Sequence, residues 1–238
     1  MLFSGGKDST YAAWTASKED ELACLVTLFP KSDMSYMFHF PNLKWTGLQA
    51  ESMGVPLLSE KTEGVKEEEL ADLTRALRKA KAGYSLEGIY TGALASVYQK
   101  TRVERTCNEL GLECISPLWG MDPETHLHRL VRDGFTVIVV SVSALGLDQG
   151  WLGRRLDGPS IGELVALGRK YRFHVGLEGG EGETFVLDAP FFSKSLEVRS
   201  AEKHWRGDSG FLEITDAVLV PKTTKAGAAL SPRPGPRS

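Results

Sequence analysis

Two short stretches of this 238-residue chain hold most of the side chains that do chemistry. The first is "SGGKDS", Ser4 to Ser9. Two glycines lie among two hydroxyls, an ammonium and a carboxylate. Glycine reaches backbone conformations closed to other residues and lets a ligand approach the main chain. Leu2 and Phe3 read as the end of a strand, Ser4 to Ser9 as a loop, and "STYAAWTA" as a helix carrying Tyr11 and Trp14. A strand, a glycine turn and a helix start aim backbone N–H groups at an anion. Ser4, Gly5, Gly6, Lys7 and Ser9 are therefore candidate phosphate ligands, with Lys7 adding positive charge. Asp8 is a candidate ligand for magnesium, an ion that takes one or two carboxylates beside phosphate oxygens. A plain helix cap after a glycine turn would explain a lone Gly-Gly, but not four converging polar side chains. The pattern is neither G-x-x-x-x-G-K-[ST] nor G-x-G-x-x-G.

The second stretch is "LEGGEGETFVLDAPFF", Leu177 to Phe192. Glu178, Glu181 and Glu183 crowd around Gly179, Gly180 and Gly182. Three carboxylates in six residues repel one another, and no basic residue is close in sequence. A metal, a cationic substrate or an amine would offset them. On composition alone a solvated acidic loop is an equal reading.

These stretches need a scaffold. Hydrophobic residues make up 42% and charged residues 25% of the chain, enough for one large domain or two modest ones. A net charge of -3 and a pI near 6.0 leave no basic excess for nucleic acid. Cys24, Cys107 and Cys114 form no C-x-x-C pair, which fits a reducing compartment and argues against zinc or a disulfide framework. Apolar runs such as "FTVIVV" from Phe135 are strand length, so no membrane span is expected. No signal peptide is seen, and the expected location is the cytoplasm.

"LACLVTLF" (Leu22 to Phe29) reads as a buried strand, and "EEELADLTRALRKAKAG" as an amphipathic helix stopping at Gly83. "LEGIYTGAL" reads as a short strand opening into a loop at Gly92. "YQKTRVERTCNELG" reads as a helix stopped by Gly111. This alternation implies a mostly parallel sheet with flanking helices. From Asp122 the pattern changes. Asp122, Pro123 and Gly134 bracket a helix, "FTVIVVSVS" and "FLEITDAVLV" are strands, and Ser160 and Glu163 have capping-box spacing. Residues 1–121 are expected to form the nucleotide-binding domain and 122–222 a smaller α/β domain. Residues 223–238, rich in Pro, Gly and Ala, are expected to be a disordered tail.

"SGGKDS" resembles the pyrophosphate loop of the N-type ATP pyrophosphatases, which have a HUP-like, adenine nucleotide α-hydrolase-like fold. "SYMFHFPN" (Ser35 to Asn42), "GALASVYQKTRVERTCNELGL" (Gly92 to Leu112), "PLW" (Pro117 to Trp119), "GLDQGWLG" (Gly146 to Gly153) and the acidic stretch resemble the diphthine–ammonia ligase family, through most of residues 1–222. The resemblance implies ATP and Mg2+ as cofactors. It implies amidation of the diphthine carboxylate on translation elongation factor 2, through an acyl-adenylate, with release of AMP and pyrophosphate.

The resemblance puts Lys7 and the loop on the β and γ phosphates, and Thr27 and Gly92 at the nucleotide edge. It puts Glu178, Glu181 and Glu183 at the substrate side as candidate catalytic groups, with Gly179, Gly180 and Thr184. Tyr98, Gln99, Arg102 and Glu104, on one helix, are further candidate substrate contacts; a surface role is their plain reading. His39 is expected to be structural, His126 and His128 to face different ways without metal context, and Trp119 and Trp151 to be core or interdomain packing. No glutaminase domain is seen, so free ammonium is the expected nitrogen source. The first strand is shorter than the family's, which leaves room for an upstream segment. A homodimer is left open. Three other readings stand beside this one: a tRNA-modifying relative, an amide ligase for another carboxylate, and an ATP-sensing module without chemistry.

Overall fold

The computed structural model describes residues 1–30, 42–62 and 69–222; the expectations for His39 and for the tail lie outside them. Strand β1 (Leu25–Pro30) pairs in parallel with β2 (Leu57–Thr62), and β3 (Gly88–Tyr90) with β4 (Glu113–Ile115). Residues 1–3 join these two ladders. Phe3 N–H donates to Val26 O and Val26 N–H to Met1 O, both at 2.8 Å, while Leu2 N–H donates to Tyr90 O at 3.0 Å. The result is a parallel arrangement β2-β1-(1–3)-β3-β4 whose middle segment feeds the glycine loop. Ligands of such sheets bind beyond the carboxyl ends of the strands.

Helix α1 spans Lys7–Ala16, so the loop is shorter than the sequence implies: it ends at Gly6, the N-cap, and Lys7 to Ser9 are the first helical turn. Helices α3 (Glu69–Tyr84) and α4 (Val97–Leu110) lie together over one apolar cluster with Leu77, Ile89, Cys107 and Leu112. Gly111, with φ 60°, ends α4 as expected. Gly83 does not end α3. The helix runs on to Tyr84, which packs against that cluster, and Ser85 takes the left-handed turn at φ 51°. The partly buried Tyr84 ring offsets the ~1–2 kcal/mol of one left-handed residue.

The second half departs from the parallel pattern. Strands β5 (Thr136–Val142), β6 (Gly182–Asp188), β7 (Lys194–Arg206) and β8 (Ser209–Pro221) form an antiparallel sheet in the order β6-β5-β8-β7. Helices α5 (Pro123–Arg132) and α6 (Gly158–Tyr171) accompany it. Asp122 caps α5 by accepting the Thr125 N–H at 2.8 Å. The cap of α6 is Asp157, not Ser160. Asp157 and Ser160 bond reciprocally, three residues ahead of the expected register, and Glu163 pairs with Arg154 at 2.5 Å. Trp151 is buried as expected, but Trp119 is at the surface, with the Lys100 ammonium 4.5 Å from its ring.

The main apolar cluster draws from both sides of Asp122. Phe3, Tyr11, Ala12 and Leu25 share it with Leu127, Val139, Leu164 and Phe185. A helix with no sequence signature, α2 (Thr46–Met53), adds polar joints. Asn42 bonds the main chain of Leu212 and Ile214, and Trp45 bonds Ile214 O. Gln49 donates to Val186 O and Gly5 O, and Ser52 donates to Lys194 O. Their spacing places them on one helical stripe.

Gln49→Leu keeps the volume but leaves the Val186 carbonyl without this donor. We expect a loss of ~2 kcal/mol, typical for stranding a buried polar group. It should appear as a lower urea midpoint at unchanged slope; an unmoved midpoint would show that the joint contributes nothing.

Candidate active site

The glycine loop is gripped by β6. Val186 N–H donates to Gly5 O at 3.0 Å, and the Lys7 N–H donates to Thr184 Oγ1 at 3.1 Å. Gly5 has φ +77°, and a Cβ there would lie 2.4 Å from Gln49 Oε1. Any other residue would be strained in this conformation and would have to displace the Gln49 amide. Ser4 Oγ and Ser9 Oγ lie 3.1 Å apart across the turn. The N-cap is a glycine with no side-chain cap; the Lys7 N–H is taken by Thr184, and the N–H groups of Asp8 and Ser9, which have no carbonyl partner within the helix, are the ones positioned to meet an anion.

Gly92 packs against the first turn of α1. A Cβ would stand 2.7 Å from Ser9 N and 2.8 Å from the Asp8 carbonyl carbon. Thr27 lies in mid-strand, buried, and its hydroxyl donates to Phe3 O at 2.7 Å. It therefore supports the loop from behind.

Lys7 is buried, with Nζ 2.7 Å from Asp8 Oδ2 and 2.5 Å from Gly176 O. The other Asp8 oxygen, Oδ1, is 2.9 Å from His126 Nε2. Burial by itself would raise the Asp8 carboxyl, but Lys7 and the His126 hydrogen bond outweigh it and hold the group below the usual carboxylate range. The helix position of His126 gives no hint of this role: its partner lies 118 residues away, and the sequence carries no sign of the pairing. His128, on the same helix, is exposed.

The acidic stretch is not one cluster. Left-handed Leu177, Gly179 and Gly180 turn the chain, and the three carboxylates go different ways. Glu178 Oε2 accepts the Ala95 N–H at 3.0 Å, just before α4; burial and the nearby Asp8 charge raise its carboxyl. Glu181 Oε1 is 3.4 Å from the His174 N–H, while Oε2 is buried without a partner. Glu183 stands on β6 in a small pocket with Ser4, Asn42, Val140 and Phe185, and burial pushes its carboxyl up to about 7. Among the described residues, no group of three His, Cys, Asp or Glu side chains could hold a metal ion.

The α4 candidates are less convergent. The Arg102 guanidinium lies 4.0 Å from the centre of the exposed Tyr98 ring, so this pair shares a face as expected. Glu104 pairs with Lys100 at 3.2 Å, and the Gln99 N–H meets the Ser96 cap.

A central extended segment that runs into a glycine turn and an uncapped helix, at the carboxyl end of a parallel sheet, defines a nucleotide-binding α/β protein. Known proteins narrow this further. Residues 1–114 match the diphthamide synthase N-terminal domain and residues 122–220 the diphthamide synthase C-terminal domain. Proteins named diphthine–ammonia ligase from Rattus norvegicus and Homo sapiens are each 34% identical over 221 residues, 84% of this chain and 82% of theirs. The one from Schizosaccharomyces pombe is 34% identical over 236 residues, 91% of this chain; the match spans 39% of that longer protein. A solved structure described as a predicted subunit of tRNA methyltransferase, from Methanocaldococcus jannaschii, is 15% identical with a TM-score of 0.43, over 79% of this chain and 96% of that one. This chain belongs to the diphthamide synthase family. None of the helices in the described residues is long and apolar enough to cross a membrane.

Two outcomes are expected here. Gly92→Ala should displace the first turn of α1 and weaken ATP binding at least tenfold, a penalty of ~1.4 kcal/mol. Gly47→Ala, with open space around its Cβ, should not. Equal ATP affinities in calorimetry would count against the close packing. For Glu183, the folded carboxyl titrates near 7 and the unfolded one near 4.5, so between these values only the native state holds the proton. Rising pH therefore costs stability across that window. Glu183→Gln should melt like the parent near pH 4 and above it by pH 8; parallel melting curves would remove the burial effect.

Proposed function

We propose that this chain joins ammonia to the diphthine carboxylate of translation elongation factor 2 at the expense of ATP, the last step of diphthamide synthesis. The observation that carries the reading is the meeting of the two sequence motifs. The Lys7 N–H bonds the Thr184 hydroxyl, so the phosphate loop and the acidic stretch line one site. The 34% identity to diphthine–ammonia ligases supports the same substrate.

A carboxylate does not react with ammonia directly, because oxide is a poor leaving group. Its oxygen attacks the α-phosphorus of ATP, pyrophosphate departs, and an acyl-adenylate forms. Ammonia then attacks the acyl carbon and AMP leaves. The protein's share is positioning and charge stabilisation. Ser4, Gly5, Gly6, Ser9 and the first turn of α1 hold the β and γ phosphates. Lys7, at the base of the loop, supplies positive charge. Asp8 fits magnesium: its carboxylate is partly open, at 23% exposure, and this ion takes one carboxylate with phosphate oxygens and water.

Glu178 and Glu181 face the acceptor, whose quaternary ammonium suits carboxylates, with Gly179 and Gly180 shaping the turn. Glu183 takes the proton from ammonium, since only neutral ammonia is a nucleophile. A base that titrates near neutrality is poised for that transfer. Tyr98, Gln99, Arg102 and Glu104 are the outer acceptor contacts, reached through the Ala95–Glu178 bond at the foot of α4. Residues 1–121 bind nucleotide and 122–222 shape the acceptor side.

The test combines purified protein with magnesium-ATP, ammonium and elongation factor 2 bearing diphthine. AMP and an acid-to-amide mass change should appear together, and both should be lost in Ser4→Ala and Glu183→Gln. AMP without amide would place the acceptor elsewhere. ATP binding with neither product would replace the enzyme reading with a nucleotide-sensing one.

A further inference from the structure

Asp8 is held from both sides, and the second hold comes from a distant helix. Lys7 Nζ takes Oδ2 at 2.7 Å, and His126 Nε2 lies 2.9 Å from Oδ1. His126 is fully buried on the inner face of α5, beside Leu127 and Leu130. Its ring meets Tyr11 edge-on, with centroids 5.1 Å apart at 87°, and Tyr11 is fixed in turn by its hydroxyl on Asp133 Oδ2 at 2.7 Å. The far ring nitrogen, Nδ1, is buried without a partner.

That orphan nitrogen sets the tautomer. A hydrogen on Nδ1 would bury an N–H with no acceptor and turn a lone pair toward the carboxylate. A hydrogen on Nε2 donates to Asp8 and leaves only a lone pair unpaired. The carboxylate therefore receives one donor on each oxygen, and its plane is fixed. Without His126, Asp8 can rotate until both oxygens face the Lys7 ammonium, which competes with a metal for the same charge.

We infer that His126 is a positioning residue, holding the Asp8 carboxylate in the orientation that receives the nucleotide's magnesium ion. This rests on the reading above that Asp8 binds that ion. An outer hydrogen bond of this kind orients the ligand without touching the metal.

Calorimetry of ATP binding to the full chain, with magnesium and with a chelator, tests it. His126→Leu fills the space without a donor, and His126→Gln returns an N–H at a similar reach. With magnesium, the Leu variant should bind ATP roughly tenfold more weakly and the Gln variant within about threefold of the parent, the range typical for outer-shell partners of a metal ligand. With chelator, all three should agree. The double variant His126→Leu/Asp8→Asn should be no weaker than Asp8→Asn alone, since the histidine acts only through the aspartate.

Equal loss with and without magnesium, or additive loss in the double variant, would reduce His126 to packing. A parent-like magnesium dependence in Asp8→Asn would instead overturn the metal reading, and the role of His126 with it. If the Leu variant fails to fold, Asn replaces it: its shorter amide falls short of Asp8, so binding as tight as in the Gln variant would overturn the proposal.

Discussion

The carbonyl of Gly5 is the point on which the rest of the structure turns. It accepts two N–H donors, one from the main chain of Val186 and one from the side chain of Gln49. Gln49 also donates to Val186 O, so loop, helix and strand close a small ring of hydrogen bonds. A buried carbonyl must be paired, and here each donor comes from a different element. The loop can hold its shape only when α2 and β6 are both docked. The glycine loop is thus completed by the half of the chain that carries the acidic stretch.

That arrangement also sorts the charges. Three glutamates that look alike in sequence meet three environments: a backbone N–H before α4, a turn near His174, and a pocket behind Ser4. Burial raises the carboxyls of Glu178 and, to about 7, of Glu183. Asp8 is driven the other way by a neighbouring ammonium and an imidazole. The site as proposed, with anionic phosphates, a cationic acceptor and a proton to move, calls for this spread of ionisation.

Much of the scaffold was legible because its signals are local. The Asp122-Pro123 start of α5 and the Gly111 stop of α4 depend on adjacent residues alone, and both stand as read. Helix α2 was invisible because the inward stripe of the helix and its lead-in is Asn42, Trp45, Gln49 and Ser52, mostly polar, and hydrophobic periodicity has no purchase on it. The antiparallel second sheet was hidden for another reason: alternation of helix and strand does not encode strand direction. Ser160 looked like a cap because Glu163 follows at the right spacing, yet Asp157 had the same spacing to Ser160. The phosphate loop was read from its own residues. Its contacts with Thr184 and His126, 177 and 118 residues away, belong to the fold and leave no mark on the local pattern.

The α2 stripe bonds almost wholly to main-chain atoms of the second half: Leu212 O, Ile214 N and O, Val186 O and Lys194 O. Every residue type except proline presents the same main-chain groups. The partner strands can therefore change their side chains freely while the docking geometry persists, and the burden of constancy falls on four positions of a short helix and its lead-in. In evolutionary terms, the side chains of the second half can drift toward new surfaces without loosening its grip on the glycine loop.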